Sequence, residues 1–186
     1  MSSLTTVDWT KIPEPEDDGA CAHLEGVSLP AMALPATDGK TETLADLAGT
    51  TVVYIYPMTG RPDRALPEGW NDIPGARGCT PQSCAFRDHH AELTAAGASQ
   101  VFGLSSQDTA YQSEAAERLH LPFALLSDAD GRFADALCLP TFRAEGQRLI
   151  KRITFIVDDG RISKVFYPVF PPDRNAEDVL AYLRSR

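Results

Sequence analysis

TVVYIYP, residues 51 to 57, decides the fold. It is an unbroken run of β-branched and aromatic residues closed by Pro57, the pattern of a strand buried on both faces and therefore central in a sheet. Outward from it, VFGLS at 101 to 105 predicts a second buried strand. LPFALLSD at 121 to 128 predicts a short extended segment, followed by an Asp130-Gly131 turn and a short helix to about Leu137. ITFIVDDGRISKVFYPV at 153 to 169 predicts two strands joined at Asp159-Gly160. Helical patterns fall over 80–96, over 109–119 behind an Asp108 N-cap, and over 175–184. Strands that first alternate with helices and then pair as a hairpin imply a mixed sheet with helices on both faces, an α/β domain.

Before the central strand, VSLPAMAL at 27 to 34 reads as a short strand interrupted by proline, TDGK at 37 to 40 as a turn, and 44–47 as one helical turn. Residues 1–23 hold four acids, Glu14, Glu16, Asp17 and Asp18, and two prolines within Pro13 to Asp18, so they read as a loosely ordered arm ahead of a single domain over 24–186. Residues 58–78 are broken by Gly60, Pro62, Pro67, Gly69, Pro74, Gly75 and Gly78 and can hold no long regular element. A loop of that length is usually functional or mobile, and this one ends at Cys79.

The chain of 186 residues carries a formal charge of −9, which argues against nucleic-acid binding, because that affinity requires Lys and Arg on phosphates. The polar, acidic N-terminus lacks the pattern of a signal peptide and no stretch is apolar enough to span a membrane, so a cytoplasmic location is expected. Four cysteines are too few for a disulfide scaffold; in a reducing compartment they point to catalysis or metal binding.

A thiol attacks only as thiolate, and a helix N-terminus favours the charged form through its unpaired N–H groups and dipole. Cys79 falls at such a position, with Arg77, Arg87 and Arg152 as candidate cations. Cys84 lies five residues on, which along an ideal helix separates the Cα atoms by roughly 8 to 9 Å. A disulfide needs less than about 7 Å, so bonding of the two requires the first turns of the helix to unwind. Two structural cysteines sharing a helix, or a zinc set with His89 and His90, are the competing readings; the spread of these side chains around the cylinder disfavours metal. His89, His90, Cys21 and Cys138 read as exposed or packed side chains, and nothing favours pairing of Cys21 with Cys138.

GCTPQSCAFRDHHAEL at 78 to 93, VVYIYP before it, LPFALLSDADG at 121 to 131 and RITFIVDDGRI at 152 to 162 together resemble the peroxiredoxins, specifically the bacterioferritin-comigratory or peroxiredoxin Q subgroup. The resemblance implies a thioredoxin-like fold with added N-terminal strands. It implies Cys79 as peroxidatic thiolate, Cys84 as resolving thiol, Arg152 as the guanidinium stabilising thiolate and peroxide, and Pro57 as a shield of the site. It implies further that peroxide oxidises Cys79 to a sulfenic acid, that Cys84 condenses with it, and that thioredoxin or a similar dithiol restores both thiols, without cofactor or metal. A monomer or weak dimer is expected. Where the subgroup has a threonine three residues before the peroxidatic cysteine and a proline four before that, this chain has Ala76 and Asp72, the loop 58–78 being an insertion. Thr59 is the expected source of the missing hydroxyl, with Thr80 also near. Trp70, Arg61 and Arg64 of the loop either cover the site and select substrate or fill a surface groove. The rival functions are a thiol–disulfide oxidoreductase or redox sensor, which lacks the usual Cys-x-x-Cys, and a non-catalytic module of the same fold.

Overall fold

The computed structural model describes residues 7–186. In chain order its elements are β1 (Ala33–Pro35), β2 (Thr41–Thr43), β3 (Thr50–Ile55), α1 (Cys79–Asp88), α2 (His90–Ala95), β4 (Ala98–Ser105), α3 (Thr109–Arg118) and β5 (Leu125–Ser127). There follow α4 (Arg132–Ala136), β6 (Thr141–Ala144), β7 (Gln147–Ile150), β8 (Ile153–Asp158), β9 (Arg161–Phe166) and α5 (Asn175–Arg184). The main sheet has the order β5-β4-β3-β8-β9, with β3, β4 and β5 parallel and β8 and β9 antiparallel. β3 is central, as its uninterrupted apolar run requires.

Successive β3 side chains enter opposite cores. Val52 and Tyr54 pack with Phe86, Leu93, Val179 and Leu183 from α1, α2 and α5. Val53 and Ile55 pack with Phe102, Phe155, Phe133 and Leu34 on the other face. Gly103 on β4 lets Tyr54 lie flat: a Cβ there would stand 2.7 Å from the Tyr54 Cζ and 2.5 Å from Leu125 Cδ2. The Tyr54 ring is stacked on Phe86 at 4.4 Å between centroids and its hydroxyl donates to Ser83 Oγ at 3.1 Å, fixing α1 to the sheet.

Several predicted elements are shorter than their sequence pattern. Within the strand expected over 27–34, pairing is confined to Ala33 and Leu34 of β1 and an isolated bridge at Ser28, because Pro30 has no N–H to give a ladder. Only 125–127 of the segment 121–128 pairs, beside β4. The helix expected over 80–96 is broken at His89, whose φ of −94° and ψ of 6° end α1 and start α2. Residues 141–150, which carry no sequence signal for an element, form the β6–β7 hairpin, turned through Glu145 and Gly146, both at positive φ. The Asp108 cap is present and accepts from the Tyr111 amide at 2.7 Å.

The first six residues of the N-terminal arm lie outside the described residues. Over 7–23 the arm holds a 3-10 turn at Trp9–Lys11 and is tied to the domain at several points. Asp18 accepts from Lys151 Nζ and from the Tyr167 hydroxyl, each at 2.8 Å, and Cys21 is buried in the core beside Leu137 and Leu139.

Candidate active site

Three chain segments end at one edge of the sheet. β3 runs out at Ile55, where it faces Ile153 at the start of antiparallel β8, and parallel β4 runs out at Ser105 nearby. Pro57 to Thr59, Arg152, and Gln107 are therefore delivered to the same edge by register alone. The 58–78 loop then returns the chain to this edge, where α1 begins.

Gly78 caps α1 with φ +110°, a conformation that needs glycine, and offers no side-chain acceptor. Pro81 sits in the first turn, where its missing N–H removes no helical bond, and the first bond runs from the Gln82 amide to the Gly78 carbonyl at 3.0 Å. The amides of the first turn are thus free to face charge at Cys79. Cys79 is only 3% exposed.

Arg152, also 3% exposed, reaches the Cys79 sulfur through Nη2 at 3.3 Å. The same nitrogen faces the carbonyls of Gly75, Ala76 and Arg77, each at 3.2 Å. Its Nη1 donates to Gln82 Oε1. Gln82 Nε2 in turn donates to Asn175 Oδ1 at 3.0 Å, which also accepts from the Thr154 hydroxyl at 2.6 Å. All these partners of the guanidinium are formally neutral if the sulfur is a thiol, and a buried cation is costly until a counter-charge meets it. A thiolate at Cys79 supplies that charge. Arg77 is a second buried guanidinium beside it, and burial pushes its pKa down.

At the position of the expected threonine, Ala76 turns its backbone carbonyl to the Cys79 sulfur at 3.7 Å. Thr59 is wholly buried. Its amide and hydroxyl both donate to Gln107 Oε1, at 3.0 and 3.3 Å, and its carbonyl accepts from the Tyr111 hydroxyl at 2.9 Å. Pro57 is buried between β3 and this segment. Cys84 is half-buried one and a half turns along α1, and burial pushes its thiol above the ordinary value of 9.0. All four cysteines are free thiols. His89 pairs with Glu92 at 2.9 Å and His90 packs against Phe123, so neither is directed at the cysteines.

The 58–78 loop is held in two ways. Trp70 is buried in a cluster with Ala76, Leu149 and Ala144, so the β6–β7 hairpin provides its seat. At the other end the Arg61 and Arg64 guanidiniums lie 5.6 and 5.9 Å from the Tyr111 ring, and Arg118 donates to the Gly60 carbonyl at 3.0 Å. Gln82, Asn175 and Gln107 carry no sequence signal as site residues beyond the position of Gln82 within the helix motif. Only the folded chain brings them to Arg152 and Thr59.

Among the described residues no helix is long and apolar enough to cross a membrane. The family model described as Redoxin matches residues 24–180. Peroxiredoxin Bcp of Escherichia coli (strain K12) is 34% identical over 161 residues, covering 84% of this chain and 92% of that protein. The chloroplastic peroxiredoxin Q of Suaeda salsa is 32% identical, covering 87% of this chain and 68% of that one. The crystal structure of peroxidoxin BcpB from Mycobacterium tuberculosis superposes with a TM-score of 0.70 at 28% identity, covering 88% of this chain and 98% of that one. A buried cysteine opening a helix at the edge of a thioredoxin-like sheet, together with these likenesses, places the chain in the redoxin family, within its peroxiredoxin Q and Bcp group.

Proposed function

We propose that the chain is a thiol-dependent peroxidase that reduces hydrogen peroxide and organic hydroperoxides at Cys79. The observation that carries this reading is the 3.3 Å approach of the Arg152 guanidinium to the Cys79 sulfur inside a site closed to solvent. The thiolate attacks one peroxide oxygen, an S–O bond forms as the O–O bond breaks, and water or an alcohol leaves after taking up a proton. Arg152 and the free amides of the α1 first turn stabilise the charge on sulfur and the charge developing on the leaving oxygen. Pro57 and Thr59 lie on the segment that leaves β3 at this edge of the sheet, and Thr59 offers its hydroxyl to the peroxide by turning from Gln107.

Cys84 then displaces the oxygen of the Cys79 sulfenic acid as water, and an S–S bond forms. Its raised pKa keeps it a thiol within the folded helix. Unwinding of α1 both exposes it and closes the distance. A dithiol such as thioredoxin reduces the bond by exchange. We read the chain as a cytoplasmic monomer or weak dimer.

Mixing reduced protein with stoichiometric hydrogen peroxide in stopped flow, with mass mapping of the product, tests the whole sequence. Loss of two thiols and a Cys79–Cys84 linkage are expected. Oxidation no faster than that of free cysteine would remove the peroxidase reading.

A further inference from the structure

Gly78, the residue that caps α1 immediately before Cys79, is covered from outside by two rings. A Cβ on it would stand 2.7 Å from Trp9 Cη2 and 2.8 Å from Pro172 Cγ, so both rings rest directly on its Cα. Trp9 belongs to the N-terminal arm and is held there by two contacts. Its indole Nε1 donates to Asp173 Oδ2 at 2.8 Å, and its ring meets Phe170 edge to face at 5.9 Å. The clasp thus joins the N-terminal arm and the segment leading into α5 at the point where the Cys79 helix starts.

That point has to give way in the resolving step. Cys79 and Cys84 come within bonding distance only if the first turns of α1 unwind, which breaks the hydrogen bond from the Gln82 N–H to the Gly78 carbonyl and draws Gln82 away from Arg152 and Asn175. The ring of Trp9 blocks outward movement of Gly78. We propose that Trp9 is a positioning residue that holds α1 wound for the peroxide step and sets the rate of the resolving step, the arm being released as the disulfide forms. This rests on the reading of Cys84 as the resolving thiol. The chemistry is unchanged by it: the S–O bond of the sulfenic acid breaks, the S–S bond forms, and the oxygen leaves as water with the Cys84 proton.

The test is stopped flow of reduced wild-type, Trp9→Ala and Trp9→Phe proteins with stoichiometric hydrogen peroxide, resolving sulfenic acid formation from disulfide formation. Loss of one aromatic contact should raise the ratio of the second rate to the first by roughly three- to tenfold in Trp9→Ala. Trp9→Phe should restore most of the wild-type ratio. Excess peroxide should drive less of the alanine variant to sulfinic acid, because its sulfenic acid is consumed sooner. An unchanged ratio in Trp9→Ala overturns the clasp while leaving the peroxidase intact. Failure of wild-type protein to form any Cys79–Cys84 disulfide overturns the resolving assignment itself, and the clasp with it. Wild-type hydrogen exchange gives a further arm that does not depend on the variants folding: residues 8 to 12 should lose protection on oxidation, and equal protection in both redox states refutes release of the arm.

Discussion

Arg152 divides its guanidinium between two residues of one helix: Nη2 stands 3.3 Å from the Cys79 sulfur while Nη1 is held by Gln82 one turn further on. A planar fork can make both contacts at once, whereas an ammonium group presents a single point of charge. Arg152→Lys should therefore lower the second-order rate with hydrogen peroxide by about a hundredfold or more, the scale of a lost transition-state donor. Stopped-flow measurement checks this. A fall of less than about threefold would mean that charge alone suffices and that the fork geometry is idle.

Thr59 is the only hydroxyl on the segment that follows Pro57, and Gln107 holds both its amide and its hydroxyl. Thr59→Val keeps the amide bond and the side-chain volume. Peroxide reduction should slow by tenfold or more, on the order of one lost hydrogen bond in the transition state. The same rate constant for variant and wild type would take Thr59 out of the catalytic set and leave it as a buried partner of Gln107.

Gly103 has no room for a methyl group, since its neighbours are the Tyr54 ring and Leu125. The ring cannot yield, being stacked on Phe86 and bonded to Ser83 of α1. Gly103→Ala should cost about 2 to 3 kcal/mol of stability through overpacking. Urea unfolding of the reduced protein measures it, and a shift below about 0.5 kcal/mol would show that the core relaxes around the methyl.

Asp18 anchors the N-terminal arm, and its bonds from Lys151, then Tyr167, pull its carboxyl down to about 2. A carboxyl whose folded pKa is depressed stabilises the fold above its unfolded pKa near 3.8, and that contribution is lost as pH falls towards about 2. Asp18→Asn should be less stable than wild type at neutral pH, with the gap closing between about pH 4 and pH 2. Denaturant midpoints across that range are the measurement. A gap independent of pH would mean that the carboxylate charge contributes nothing to the anchor.

The parts of the fold legible in the sequence are those whose signal is local. The apolar run of β3 is central because nothing in it tolerates solvent, the Asp159-Gly160 pair turns β8 into β9, and Asp108 caps α3 with its own side chain. Cys79 is readable as a helix start because Gly78 precedes it and Pro81 fits only a first turn. The β6–β7 hairpin is not legible because its strands are only four residues each, Arg143 and Arg148 interrupt their apolar pattern, and Glu145-Gly146 is a weaker turn signal than Asp-Gly. The break at His89 has no Gly or Pro to announce it. Gln82 and Trp9 are illegible for a different reason: their contacts are with residues 152, 173 and 175, which no periodicity encodes.

The wound state of α1 also sets an electrical quantity. Every contact that favours the helix between Cys79 and Cys84 stabilises the dithiol and not the disulfide, so it raises the potential of the couple. For a two-electron exchange, each 1.4 kcal/mol of that preference is worth about 30 mV. A helix that resists the cross-link therefore leaves a disulfide that takes up two electrons readily, and the same hydrogen bonds and rings that delay the oxidised form make it a good acceptor for whichever dithiol arrives to reset it.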